Sequence, residues 1–160
     1  MASIQRHDRA PYFRLKDQSG ARRSLDQYHG RNLVLLFYDH DDTPETVQEV
    51  AAFGDAAARF AALHTDVIGV CADPPRAHRR FAQLHHVNFP LLSDRRHRLA
   101  KAVGVFDNDH QRTEPTTVII DADGRVEKVY EGGRPDRHAE QVLQHLAGLD
   151  RAEHWPSRPA

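Results

Sequence analysis

Apolar positions along the chain fall into two alternating rhythms. Residues 32–38, NLVLLFY, are almost continuously apolar with β-branched and aromatic side chains, the pattern of a strand covered on both faces. Residues 66–70, DVIGV, and 116–120, TTVII, repeat it. After the first run, Thr43-Pro44-Glu45 carries the signals of a helix start: a capping side chain, a proline suited to the first helical position and an acid at the positive end of the dipole. Val47, Val50, Ala51, Phe53, Gly54, Ala57, Ala58, Phe60 and Ala61 then make an apolar stripe. A further helix is expected over 75–85 with Phe81 and Leu84 facing inward, an extended piece over 88–92 and a short helix over 95–103. Asp121-Ala122-Asp123-Gly124 turns TTVII into an alternating hairpin partner at 125–130, RVEKVY. An amphipathic helix over 136–149 closes the pattern.

Strand, helix, strand, helix, then hairpin and helix implies a parallel pair of strands with an antiparallel edge and helices on both faces. The expected class is α/β with a thioredoxin-like layout, a central mixed sheet flanked by helices. One domain over 1–150 accounts for the whole pattern, followed by a loose C-terminal tail, 151–160, in which Trp155 is the side chain able to dock. There is no internal repeat and no linker.

Composition narrows the function without naming it. A chain of 160 residues with 39% hydrophobic content suits one buried core. The net charge of −1 gives no overall pull toward nucleic acid or membrane. Its distribution is uneven: 39–55 holds six acids and no Lys or Arg, whereas 76–101 holds seven Lys or Arg against the single acid Asp94. Solvated helix faces explain most such blocks; anion or nucleic-acid binding is the other reading, and the sparse aromatics in the basic block (Phe81, Phe89) argue against stacked bases. No run reaches the roughly 18 apolar residues of a membrane span, and the opening MASIQRHDRA has no apolar core of a secretory leader. One cysteine, Cys71, excludes an intrachain disulfide and a Cys-rich metal site. A cytoplasmic location is expected. The twelve histidines fall in no metal-ligating spacing, and the acidic turn 39–42, DHDD, reads as solvated; no metal and no cofactor are expected.

Several short pieces, in order, resemble the AhpC/TSA peroxiredoxins and within them the bacterioferritin-comigratory-protein branch. They are APYFRL (10–15), DQSG (17–20), Ser24-Leu25, His29-Gly30-Arg31, FY with DDTP (37–38, 41–44), IGV (68–70), FPLLSD (89–94), VGV (103–105) and IIDADG (119–124). The resemblance runs over about 8–149 and implies a thioredoxin fold. It also implies a peroxidase site of Pro, Thr, a peroxidatic Cys and an Arg, in which a helix N-terminus and a guanidinium lower the pKa of the attacking thiol. On this chain those four positions are Asp39, Thr43, Thr46 and Pro115, and the second cysteine of the branch falls on Ala51. Only Thr43 matches. A threonine hydroxyl has no sulfenate chemistry, so peroxidase activity by that mechanism is not expected.

Two functions then compete. In one, the edge around the vestigial positions Asp39, Thr43, Thr46 and Pro115, with His40 and Glu45 as candidate binding residues, holds a protein or small-molecule partner; a homodimer is compatible with it. In the other, Cys71, at the C-terminal end of DVIGV and close to Arg76 or His78, is a relocated catalytic thiol served by an external reductant. The bland reading of Cys71 is a small buried hydrophobe. Glu114-Pro115-Thr116 resembles the thioredoxin cis-proline segment, which makes a cis bond before Pro115 the expectation, against an ordinary trans proline entering a strand.

Overall fold

The apolar runs assemble into one sheet, as their burial on both faces requires. In this computed structural model, which describes residues 3–132 and 134–153, the strands in chain order are β1 (Arg14–Lys16), β2 (Arg22–Ser24), β3 (Asn32–Phe37), β4 (Thr65–Cys71), β5 (Leu91–Ser93), β6 (Phe106–Asp107), β7 (Arg112–Thr113), β8 (Thr116–Ile120) and β9 (Val126–Glu131). The helices are α1 (Pro44–Asp55), α2 (Ala57–Ala62), α3 (Pro75–His85), α4 (Arg98–Val103) and α5 (His138–Glu153). The central sheet has the order β5-β4-β3-β8-β9. β3, β4 and β5 run parallel, and β8 and β9 add antiparallel. β1–β2 and β6–β7 are small separate hairpins.

Alternate side chains of the strands leave the sheet on opposite faces, and each face has its own core. Leu33, Leu35, Phe37, Ile68, Val70, Val118 and Ile120 pack with Phe13 and with Leu99, Ala100 and Val103 of α4. Val34, Leu36, Val67, Leu91 and Ile119 pack with Val50 and Phe53 of α1, Phe60 of α2, Phe81 of α3 and Val142, Leu143 and Leu146 of α5. The expected α/β class, a mixed sheet with helices on both faces, is the observed one.

Four details depart from the sequence reading. The long apolar stripe after Thr43 is broken at Ala56 into α1 and α2. Gly54, a poor helix former, stands just before the break, and Asn88 Nδ2 reaches its carbonyl at 3.4 Å. Leu84 is 67% exposed rather than inward. The buried face of α3 runs through His78 and Phe81, and a position three residues past Phe81 lies about 60° around the helix, here on its solvent side. The peptide bond before Pro115 is trans, since the described residues contain no cis bond. Pro115 enters β8 as an exposed residue whose carbonyl accepts from Gly132 N at 3.0 Å. The last helix continues past 149 to Glu153, and Trp155, with 154–160, lies outside the described residues.

Candidate functional site

The acidic turn between β3 and α1 is not uniformly solvated. Asp39 is half-buried, and its Oδ1 accepts from Thr113 N at 3.1 Å. His40 is exposed, with Nε2 3.3 Å from Asp39 Oδ2 and Nδ1 3.4 Å from Asp73 Oδ1. Asp42 is exposed. Asp41 turns inward and is 2% exposed.

Helix α1 begins as its sequence dictates. Thr43 is the N-cap and Pro44 the first helical residue. The Thr43 hydroxyl accepts from Thr46 N at 3.2 Å and donates to Thr46 Oγ1 at 2.7 Å. Thr46, which the resemblance sets at the peroxidatic position, is 5% exposed and its hydroxyl is engaged by this cap.

Thr43, Thr46 and Glu45 line a cleft of about 360 Å³ with Asp39, Pro115, Glu49 and His138. The edge around the vestigial positions is therefore a real concavity, and the structure brings Asp39, Thr43, Glu45, Thr46 and Pro115 together around it. Cys71 and His40 are not among its lining residues. Sequence reasoning missed Glu49 and His138. His138 is almost fully buried, its Nε2 2.6 Å from Thr117 Oγ1 and 3.9 Å from Glu49 Oε1. Burial holds the imidazole below its ordinary pKa and pushes the Glu49 carboxyl up to about 7. Near neutral pH the cleft thus offers a carboxyl that still carries a proton much of the time, a neutral imidazole and the Thr43 and Thr46 hydroxyls, with Arg112 and Arg134 also on its lining. That set donates and accepts hydrogen bonds but contains no group with the nucleophilicity of a thiolate.

A buried polar cluster is joined to the cleft lining through Tyr38. Asp41 Oδ1 accepts from the Tyr38 hydroxyl at 2.8 Å, and Asp41 Oδ2 stands 2.7 Å from His78 Nδ1. His78 Nε2 is 3.1 Å from the Leu92 carbonyl oxygen. Cys71 Sγ is 3.8 Å from Asp41 Oδ1 and 4.0 Å from His78 Nε2, and it accepts from Asp73 N at 3.5 Å. The thiol is 2% exposed. Burial, then the carboxylates of Asp41 and Asp73, push its pKa far above the ordinary thiol range. Such a thiol is a poor nucleophile. His78, not Arg76, is the residue beside it.

Asp41, Cys71 and His78 present donor atoms within 4.8 Å of one another, a grouping that could hold a metal ion. The same atoms hydrogen-bond one another and the Leu92 carbonyl.

A thioredoxin-type sheet with a capped helix start facing a polar cleft defines a class. The AhpC/TSA family model matches residues 7–129, and the chain belongs to that family. Peroxiredoxin Bcp of Bacillus subtilis is 33% identical over 153 residues, covering 92% of this chain and 98% of that protein. The chloroplastic peroxiredoxin Q of Populus jackii is 32% identical over 151 residues, covering 92% and 70%. Among solved structures, peroxidoxin BcpB from Mycobacterium tuberculosis superposes with a TM-score of 0.86 at 30% identity, covering 91% of this chain and 98% of that one. A cysteine-to-serine mutant of Xylella fastidiosa PrxQ gives 0.87 at 26% identity, covering 92% and 98%. No helix among the described residues is long and apolar enough to cross a membrane.

Proposed function

We propose that this chain is a peroxiredoxin-family protein without thiol peroxidase chemistry, whose cleft at the start of α1 binds a small polar ligand or a loop of a partner protein. One observation carries the reading. Thr46 stands in the first turn of α1 with its hydroxyl engaged by Thr43 at 2.7 Å, and the chain's one cysteine is buried against Asp41 and His78. Glu49, which donates when protonated, and the uncharged His138 imidazole give the cleft neutral hydrogen-bonding groups beside the charged Asp39, Glu45, Arg112 and Arg134 on its lining. The competing reading, a thiol oxidoreductase working through Cys71, draws support from the His78 imidazole 4.0 Å from the sulfur. Burial opposes it.

Hydrogen-peroxide consumption under dithiothreitol separates the two, measured for wild type and Cys71→Ser with dimedone trapping read by mass spectrometry. Both proteins are expected at background, with no sulfenate. Turnover lost in Cys71→Ser, with sulfenate at Cys71, would replace the binding reading by the oxidoreductase one. For the cleft itself, amide NMR shifts at Thr43, Thr46 and Glu49 are expected to move together as short carboxylic acids and alcohols are titrated. Shifts scattered away from α1 would remove the ligand-binding assignment.

A further inference from the structure

The basic block of the sequence folds into a cleft far richer in cations than its solvated-face reading requires. Six cationic side chains line it: Arg14 and Lys16 of β1, Arg22 of β2, and Arg95, Arg96 and Arg98 at the start of α4. The cavity measures about 430 Å³. Its one acid, Asp94, is 2% exposed and already accepts from the backbone N–H groups of Leu99 and Ala100, at 3.1 and 2.9 Å. Among the described residues none of the six cations forms an ion pair with a carboxylate.

Two further features suit an anion. Lys16 and Arg22 are directly opposite each other in the β1–β2 hairpin, a like-charge pairing that costs stability unless a counter-charge lies between them. Ser93, at the end of β5, lines the same cleft; it is 5% exposed, and its buried hydroxyl has no hydrogen-bond partner. A buried hydroxyl left unpaired is costly, and an oxyanion at the cleft floor would pair it. The cleft also sits where ligands collect in open α/β sheets. Ser93 and its register partner Cys71 end parallel strands, and Pro75, the first residue of α3, brings the positive end of that helix beside it.

We propose that this cleft binds a soluble oligophosphate, an anion carrying two or more linked phosphoryl groups. Guanidinium forks match phosphate oxygens two at a time, and five of the six cations are arginines. A concavity of this volume holds a small ligand. Among the described residues no aromatic side chain lines it, so recognition runs through phosphate and not through stacked bases. The site is separate from the α1 cleft and stands whether or not that cleft binds a ligand.

Isothermal titration of the full chain with sodium tripolyphosphate at low salt tests this, with pyrophosphate, ATP and sulfate as comparisons and a thymidine 20-mer as competitor. Saturable one-to-one binding is expected, at least about tenfold tighter than sulfate and falling with added salt. The double variant Arg14→Gln/Arg98→Gln should weaken it by more than about tenfold, as the loss of charge-assisted contacts implies. Ser93→Ala, which leaves every charge in place, should weaken it about threefold or more. Arg31→Gln, whose parent residue pairs with Asp66 outside the cleft, should bind as wild type. ATP binding as tightly as tripolyphosphate would identify the phosphate chain as the recognised part, and tighter binding would mark a nucleotide as the natural source. No saturable tripolyphosphate binding by wild type, or equal binding by the double variant with its thermal midpoint intact, would overturn the assignment. So would a thymidine 20-mer that tripolyphosphate cannot displace, since that would make the cleft part of a nucleic-acid surface.

Discussion

His78 Nδ1 lies 2.7 Å from Asp41 Oδ2, and neither residue is more than 2% exposed. The pair ties α3 to the turn before α1, and its outer contacts, Tyr38 to Asp41 and Leu92 to His78, extend it to the end of β3 and to β5. Removing one member leaves the other buried with an unmet partner. Asp41→Ala or His78→Ala should therefore lower stability by about 3–5 kcal/mol, read as a shift of the urea midpoint at constant slope. The double variant Asp41→Leu/His78→Leu should cost clearly less than the two single losses added together, because it leaves no orphaned polar group. Strictly additive losses would show that the pair is not coupled.

Cys71 shares that cluster, and its surroundings predict inertness. A thiol this buried reacts only when the chain opens. Labelling by dithionitrobenzoate should be slow in the folded protein, accelerate with urea in step with the loss of structure followed by circular dichroism, and reach one equivalent on unfolding. Rapid labelling of the folded protein would mean that the sulfur is reached by solvent through a local motion.

The start of α1 was legible because capping is local: Thr43, Pro44 and Glu45 do their work within one turn, and all three act as read. The start of α3 was equally plain from Pro75. What the sequence could not disclose depends on partners far along the chain. Which acid of DHDD turns inward is decided by His78, 37 residues on. Glu49 is shifted because it is buried, and the imidazole 3.9 Å from it, His138, comes from α5 at the far end of the chain. Four of the twelve histidines, His7, His64, His86 and His97, take left-handed backbone conformations at turns and helix ends, which no spacing in the sequence announces. The basic block was visible as a count, but its concavity required Arg14, Lys16 and Arg22 from a hairpin too short to leave a periodic signal.

Glu49 makes stability depend on pH with a sign opposite to most carboxylates. Its carboxyl titrates at about 7 in the fold against an ordinary value of 4.5, because burial disfavours the charge. Below pH 4.5 both states hold the proton and nothing is lost. Between 4.5 and about 7 the unfolded chain releases it while the fold retains it, so stability falls as pH rises and stays lowered above 7. Discounted for its partial exposure, the full effect is roughly 2 kcal/mol. Glu49→Gln should match wild type at pH 4 and exceed it by about that amount at pH 8. His138, lowered by burial, gives the opposite slope below 6.5 in both proteins, so the difference curve isolates Glu49. A difference that does not change with pH would show Glu49 to be solvated.

Gly69 sits at the middle of β4 directly opposite Leu91 of β5, and the space above it is filled. A Cβ at this position would come within 2.7 Å of Leu91 Cδ2 and 3.2 Å of Tyr38 Cε1. Leu91 has no exposed surface to move toward, and Tyr38 is held by its bond to Asp41. Gly69→Ala should therefore destabilise by about 1–3 kcal/mol despite the better strand propensity of alanine, as overpacking does. Adding Leu91→Val shortens the side chain in the way. The double variant should recover part of the loss relative to the sum of the two single changes, because the two residues share one space. If Gly69→Ala left the urea midpoint unchanged, Tyr38 and Leu91 would have to be free to shift, and the packing between β4 and the Asp41 cluster would be looser than the contacts at Gly69 imply.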